Sequence, residues 1–364
     1  MSLKLMSLTS IHEKVLSGQR IDEADCLALF ESKDLLALGR IANIVRERKN
    51  GNRAYFNINR HINYSNVCYV DCKFCEFGQP KNSPKAYELS VEEMRRQALE
   101  AAAQGATEFH IVGGLHPELK LDYYEALLRE LKAAAPQVHL KAFTAVELDY
   151  FAKINKFSVE TVLHRLIAAG LGSLPGGGAE VLTERVRKLV CPNKSSGARW
   201  IEIHRIAHRM GLRSNATLLY GHVENNEDKV EHLKMLRDLQ DESGGFQTFI
   251  PLSFVPYDTQ LAHLPPPTGM ADLKHIAVSR IYLDNFPHLK VYWIMTGIKI
   301  AQLALSFGAD DIDGTVMQER IVHMAGAKTP EGLAVTDLIQ LIREAGREAT
   351  ERDTLYNVVS RSAA

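Results

Sequence analysis

The sequence predicts an α/β protein built as one parallel (β/α)8 barrel of the TIM type, preceded by a helical extension. Three observations carry that prediction. Eight short apolar or alternating segments are each followed by a longer amphipathic one. No Gly/Pro/Ser-rich linker or internal repeat divides the 364 residues, although that length also allows two domains. Several of the short segments carry polar residues at every second position, so one strand face would line an interior.

In chain order, residues 1–50 read as helices, with Ile11, Val15, Leu16, then Cys26, Leu27, Phe30, Leu35, Leu36 and Leu38 at helical spacings. Residues 51–329 form the predicted barrel, with strands at 55–63, 107–113, 139–146, 171–174, 213–220, 245–254, 291–296 and 311–315. Helices fill the intervals, and the one after Ser90 starts with a capping-box pair, Ser90 and Glu93. Residues 330–364 read as a C-terminal helix packed on the barrel, followed by a tail. There Arg343, Arg347 and Arg352 mix with Glu344, Glu348 and Glu351, the pattern of a solvated helix face.

In the first strand Asn57, Asn59, His61 and Asn63 alternate with Phe56, Ile58 and Ile62. In the fifth, Asn215 and Thr217 alternate with Ala216 and Leu218, and the eighth carries Asp311 and Asp313. A purely structural barrel interior favours Val, Ile and Leu, so these faces point to a polar substrate chamber. Charge excludes one class of partner. Forty-three Lys and Arg against 44 Asp and Glu give a net charge of −1, with no field to hold a nucleic acid. The N-terminal stretch turns polar too soon for a signal peptide and no run reaches the ~20 apolar residues of a membrane span, so a cytoplasmic location with no membrane partner is expected.

Five cysteines are present, and three fall within eight residues: Cys68, Cys72 and Cys75, spaced C-x3-C-x2-C directly after the first strand. Barrel enzymes place their active sites on such loops. Thiolates bind zinc and iron–sulfur clusters alike. A structural zinc is normally closed by four ligands, and no fourth cysteine or second C-x2-C follows; a 4Fe-4S cluster held by three thiolates keeps one iron open. A thioredoxin-like reading of Cys72–Cys75 leaves Cys68 unused. His204 and His208 stand i, i+4 on a predicted helix but lack the H-E-x-x-H order, so packing explains them better. Gly176–Gly178 is followed by no Gly-Lys-Ser/Thr and is not a P-loop.

The cysteine spacing on the first loop of a parallel barrel resembles the radical S-adenosylmethionine (SAM) superfamily. That resemblance implies a 4Fe-4S cluster on Cys68, Cys72 and Cys75, with SAM chelated at the open iron. It also implies that Phe74 lies near the adenine and that Gly113 and Gly114 meet the methionine amino group. Glu180 is expected at the ribose and Arg199 at the methionine carboxylate, with Lys194 competing for that place. Further segments, among them Phe254-Val255-Pro256-Tyr257-Asp258-Thr259 and Gly308-Ala309-Asp310-Asp311-Ile312-Asp313-Gly314-Thr315, resemble the aminodeoxyfutalosine synthase family. The resemblance runs from about residue 11 to 341 and implies addition of the 5′-deoxyadenosyl group of SAM to 3-[(1-carboxyvinyl)oxy]benzoate in menaquinone biosynthesis, with flavodoxin or ferredoxin as electron donor. His61, Asn63, Asn215 and Asp313 are the expected substrate-facing residues, and Glu147 is a further site residue without an assigned role. A related cyclase of the futalosine or deazaflavin pathway, or a non-enzymatic iron–sulfur or zinc protein, are the other readings the sequence allows.

Overall fold

The computed structural model describes residues 8–360; positions 1–7 of the predicted extension and 361–364 of the tail lie outside the described residues. The chain opens with helices Leu8–Leu16, Glu23–Glu31 and Leu35–Asn50. Asp22 caps the second by accepting from the Asp25 amide at 2.8 Å, and Asp34 caps the third.

Ten strands follow among the described residues: β1 Arg53–Asn57, β2 Asn59–Ile62, β3 Glu108–Ile111, β4 His139–Ala142, β5 Ser173–Leu174, β6 Arg213–Tyr220, β7 Phe246–Ser253, β8 His288–Leu289, β9 Asp311–Gly314 and β10 Glu348–Glu351. β2 to β8 form a seven-stranded parallel sheet in sequence order, and β10-β1-β9 form a second parallel sheet. β1 and β2 are one strand interrupted at Ile58. Parallel bridges from Lys290 to Asp311 and from Arg60 to Met317 join the two sheets, so the eight segments close around an interior. Helices cover the outside, which is why both faces of most strands are buried. Among the described residues no helix is long and apolar enough to cross a membrane.

The parallel α/β barrel predicted from sequence is the observed fold, and three segments depart from the expected elements. Residues 139–146 do not stay extended: the strand ends at Ala142, Phe143 takes a positive φ of 60°, and Thr144 caps the helix Ala145–Asn155. The apolar run 291–296 is not the seventh strand, which is the short His288–Leu289; Trp293–Thr296 is a helical turn. Periodicity cannot separate a buried strand from a buried turn in so short a run. Here the Trp293 indole decides, because it is fully buried and donates to the Gly314 carbonyl at 2.9 Å.

The third departure is the C-terminus. The helix Val335–Glu344 stops before Gly346 (φ 74°), and the chain re-enters as β10 beside β1. Arg352 is therefore not on a solvated face. It is 1% exposed, and its Nε donates to Asp311 Oδ2 at 2.6 Å, where the Tyr356 hydroxyl also donates at 2.7 Å. Gln247 donates to the Thr354 carbonyl at 2.6 Å and Tyr356 stacks on His288. This segment plugs the barrel at the end where its strands begin, leaving the opposite end for the site.

Replacing Arg352 by Ala leaves the Asp311 carboxylate buried without its counter-charge, with only the Tyr356 hydroxyl and the Asp313 amide as donors. The expected loss is about 3–5 kcal/mol, read as a lower urea midpoint, and Arg352→Met combined with Asp311→Asn should recover much of it.

Candidate active site

A cavity of about 330 Å³ opens at the end where the strands finish. Its mouth is made by the loops after β2, β3 and β5, and its floor by side chains on the strands.

The loop after β2 carries the three cysteines. Its shape is set by hydrogen bonds to the returning chain: the Tyr87 amide donates to Asn66 Oδ1 at 2.7 Å, and Asn66 Nδ2 donates to the Lys85 carbonyl at 2.9 Å. Cys68 donates its amide to Gln79, and Cys75 turns tightly back onto the Cys72 carbonyl. All three cysteines line the cavity mouth. Backbone amides point at the sulfurs, Leu115 N–H at Cys68 Sγ (3.4 Å) and Gly78 N–H at Cys75 Sγ (3.5 Å). A Cβ on Gly78 would lie 3.7 and 3.9 Å from those two sulfurs. Burial alone pushes the Cys72 and Cys75 thiols up, so a bound cationic centre and N–H donors are what would hold them as thiolates. Among the described residues no group of His, Cys, Asp or Glu is gathered to hold a lone metal ion. Three thiols on one loop, with amides aimed at two of them, suit an iron–sulfur cluster.

Gly113 and Gly114 follow β3 and press against this loop. A Cβ on Gly114 would come within 2.2 Å of the Val67 carbonyl oxygen, and one on Gly113 within 2.5 Å of the Tyr64 ring. Neither position has room for any other residue. Beyond β5, a Cβ on Gly176 would come within 2.8 Å of the β6 backbone, and Glu180 takes a positive φ of 48° that turns its carboxylate to the cavity. Lys194 Nζ pairs with Glu180 Oε1 at 2.5 Å and lies 5.4 Å from the centre of the Phe74 ring. Burial opposes the Lys194 charge, but Glu180 together with the neighbouring Cys72 and Cys191 more than offsets it, and the ammonium is held above its ordinary range.

Deeper in, His61, Asn215 and Asp313 line the cavity as the alternation predicts. His61 stacks on His110 at 4.6 Å and 11°, and burial lowers both imidazoles, so the pair is neutral near pH 7. Lys290 donates to Asp313 at 2.9 Å, and Lys141 to Glu108 at 2.5 Å.

Two expected site residues stand elsewhere. Arg199 does not reach the cavity; its Nε donates to Asp149 at 2.8 Å and its side chain is 41% exposed, so Lys194 is the cation present at the mouth. Asn63 is buried with its amide on the Val112 carbonyl at 3.1 Å and lies outside the cavity lining. His204 and His208 share the Ser214 hydroxyl at 2.8 and 2.7 Å, the packing role expected of them. Sequence reading missed His110, Lys141, Lys290 and Glu319, all on the cavity wall. His110 and Lys141 continue the same period-two pattern with Glu108 and His139; Lys290 escaped because its strand was displaced.

The rim segment after β9 is fixed by Glu319. Its carboxylate accepts from the Val322 amide at 3.0 Å and from His323 Nδ1 at 3.0 Å, while His323 Nε2 faces the Thr329 carbonyl at 2.9 Å. With an acceptor at each nitrogen, His323 is an imidazolium whose pKa is pushed up to about 9, first by the Glu319 bond.

The sequence matches the radical SAM superfamily model over residues 62–236 and the model of the CofH/MqnC C-terminal region over residues 243–363. It is 46% identical to an aminodeoxyfutalosine synthase from Thermus thermophilus, across 97% of this chain and 96% of that one. It is 39% identical to a cyclic dehypoxanthine futalosine synthase from Streptomyces coelicolor, across 96% and 88%. The fold is similar to the crystal structure of methylornithine synthase, with a TM-score of 0.75 over 93% of this chain and 97% of that one, at 17% identity.

Two outcomes follow from the geometry. Gly114→Ala should fold but fail to hold iron and sulfide on reconstitution, because the added carbon displaces the Val67–Cys68 backbone; metal analysis beside circular dichroism reads this. A His323 pKa raised to about 9 contributes stability that is complete below about pH 6.5 and fades as pH rises through about 9. His323→Gln should flatten that part of the profile of denaturation midpoint against pH.

Proposed function

The chain belongs to the radical SAM superfamily, in the branch of the aminodeoxyfutalosine synthases, and we propose that it joins the 5′-deoxyadenosyl group of SAM to 3-[(1-carboxyvinyl)oxy]benzoate. Rearrangement, loss of one carboxyl group as CO2 and release of the one electron that opened the reaction then give 6-amino-6-deoxyfutalosine, the reaction of menaquinone biosynthesis. A bound and reduced 4Fe-4S cluster supplies the electron that cleaves SAM to methionine and the 5′-deoxyadenosyl radical. Cys68, Cys72 and Cys75 are the residues to hold that cluster, with flavodoxin or ferredoxin as the donor that reduces it.

The observation that carries the reading is the polarity of this cavity. One end holds thiols, glycine backbone and the Glu180–Lys194 pair; the other holds two lysines and two neutral histidines within one enclosed space. The first end suits SAM: Gly113 and Gly114 let its methionine part approach the backbone, Glu180 can accept from ribose hydroxyls, and Lys194 beside Phe74 faces carboxylate or adenine. The floor suits an aryl compound with two carboxylates. Lys141 and Lys290 offer charge, each already neutralised by its own acid, and His61 and His110 offer neutral donors. Asp313 serves by holding Lys290, since an ionised carboxylate would repel the substrate directly. Asn215 and Thr217 on β6 complete the wall. Apolar Ile250, Leu252, Phe254 and Val255 border the same space, where they exclude water and pack the vinyl group against the adenosyl carbon.

Anaerobically reconstituted, reduced protein with SAM and 3-[(1-carboxyvinyl)oxy]benzoate should yield, by mass spectrometry, a product combining adenosyl and benzoate parts less one carboxyl group. Release of 5′-deoxyadenosine alone would refute the substrate assignment and favour the cyclase chemistry of the related branch. Lys290→Met should lower kcat/KM for the benzoate about 10–100-fold, the worth of a hydrogen bond to a charged group, while leaving SAM binding unchanged.

A further inference from the structure

Glu147 is buried at the third position of the helix Ala145–Asn155, and its carboxylate is fully engaged. Oε2 accepts from the Thr144 amide at 2.7 Å and the Thr144 hydroxyl at 2.8 Å; Oε1 accepts from the Tyr64 hydroxyl at 2.9 Å and the Gly113 amide at 3.1 Å. An ionised carboxylate has about four acceptor sites, and all four are filled. Although Glu147 borders the cavity, it has no acceptor left for a ligand. A helix cap requires only the Thr144 half of this arrangement. The other half reaches across to two different loops, one after β2 and one after β3.

Those loops meet at the cysteines. From Gly113 the chain runs through Gly114, whose amide donates to the Ser65 carbonyl at 2.8 Å, to Leu115, whose amide points at Cys68 Sγ at 3.4 Å. Leu115 also accepts from the Tyr69 amide at 3.2 Å, so the turn is stitched to both sides of Cys68. The Tyr64 ring lies directly under Gly113 and the Val67 carbonyl directly under Gly114, leaving the turn no slack.

We propose that Glu147 is a positioning residue for the cluster: by anchoring Gly113 and Tyr64 it fixes the turn that aims the Leu115 N–H at the Cys68 sulfur, and so helps to set the cluster's reduction potential. Hydrogen bonds to cluster sulfurs stabilise the extra negative charge of the reduced form. Loss of the anchor lets the N–H drift, and the reduced form becomes harder to reach. The inference rests on the three-cysteine cluster of the superfamily and is independent of which substrate fills the floor.

Glu147→Gln tests it, because an amide has one accepting oxygen and presents N–H groups to the other pair of donors. In the cluster-free protein, amide hydrogen exchange over residues 111–117 should accelerate. In the reconstituted protein, a redox titration followed by electron paramagnetic resonance should place the cluster at a more negative potential, and reductive cleavage of SAM should slow about tenfold. Ser158→Ala, which removes the cap of the next helix Val159–Ala168, should lower the denaturation midpoint comparably with no change in potential. Should Glu147→Gln not fold, Tyr64→Phe keeps the ring under Gly113, removes one anchoring bond and should move exchange and potential in the same direction by less. A lowered denaturation midpoint with unchanged exchange and unchanged potential would overturn the proposal, leaving Glu147 as a helix cap and nothing more. Because neither readout involves the benzoate, failure of the substrate assignment would leave this result standing.

Discussion

A closed parallel barrel surrounds its interior with apolar strands and helices, and any charge placed there loses its hydration. Desolvation of an ion costs several kcal/mol even after the protein relaxes, so an interior charge persists only beside its opposite or within a set of hydrogen-bond acceptors. Five cations of the cavity and core meet that constraint with an acid: Lys141 with Glu108, Lys290 with Asp313, Lys194 with Glu180, Arg352 with Asp311 and Arg280 with Asp310; Arg46 and Arg187 meet it with backbone carbonyls. The histidines obey it in the other direction. Between Lys141 and the stacked partner ring, His61 and His110 stay neutral rather than add unmatched charge. The floor is thus rich in donors yet close to neutral.

These pairs fall into two groups with different work. Arg352–Asp311 and Arg280–Asp310 lie at the end where strands begin, sealed by Tyr356 and His288, and touch no part of the cavity. The remaining three border the cavity. Barrels commonly divide stability and function between their two ends. In this chain the division has a covalent basis, because the segment that seals the lower end is a C-terminal strand added beside β1.

The sequence made the barrel legible because seven of its strands carry the expected pattern at close to the observed positions, and the cysteine spacing located the site before any geometry was known. What it hid was hidden for identifiable reasons. Arg352 and Glu351 follow each other in a charged stretch indistinguishable by composition from a solvated helix; only the Gly346 turn, which redirects the chain to β1, buries the arginine. Lys290 was missed because the apolar run beside it looks more like a strand than the strand does. Arg199 and Lys194 are five residues apart and chemically equivalent in sequence. Their separation depends on Asp149, a partner fifty residues away that draws Arg199 outward.

The same kind of long-range dependence governs the cysteine loop. The spacing of Cys68, Cys72 and Cys75 is local, but the environment of Cys68 is assembled from three successive βα units. The loop after β2 supplies the sulfur, the loop after β3 supplies the amide that faces it, and the helix after β4 supplies the carboxylate that holds that amide's turn in place. Adjacent parallel strands bring these loops side by side, 4.7–4.9 Å apart in an ordinary sheet, about the reach of one side chain. A glycine pair is the only sequence that lets the middle loop fit between the other two, as the near-contacts of Gly113 with Tyr64 and Gly114 with Val67 require. The chemistry of the site therefore depends on strand order as much as on the cysteines: the same motif on an isolated loop would bind iron without the neighbouring backbone that orients it.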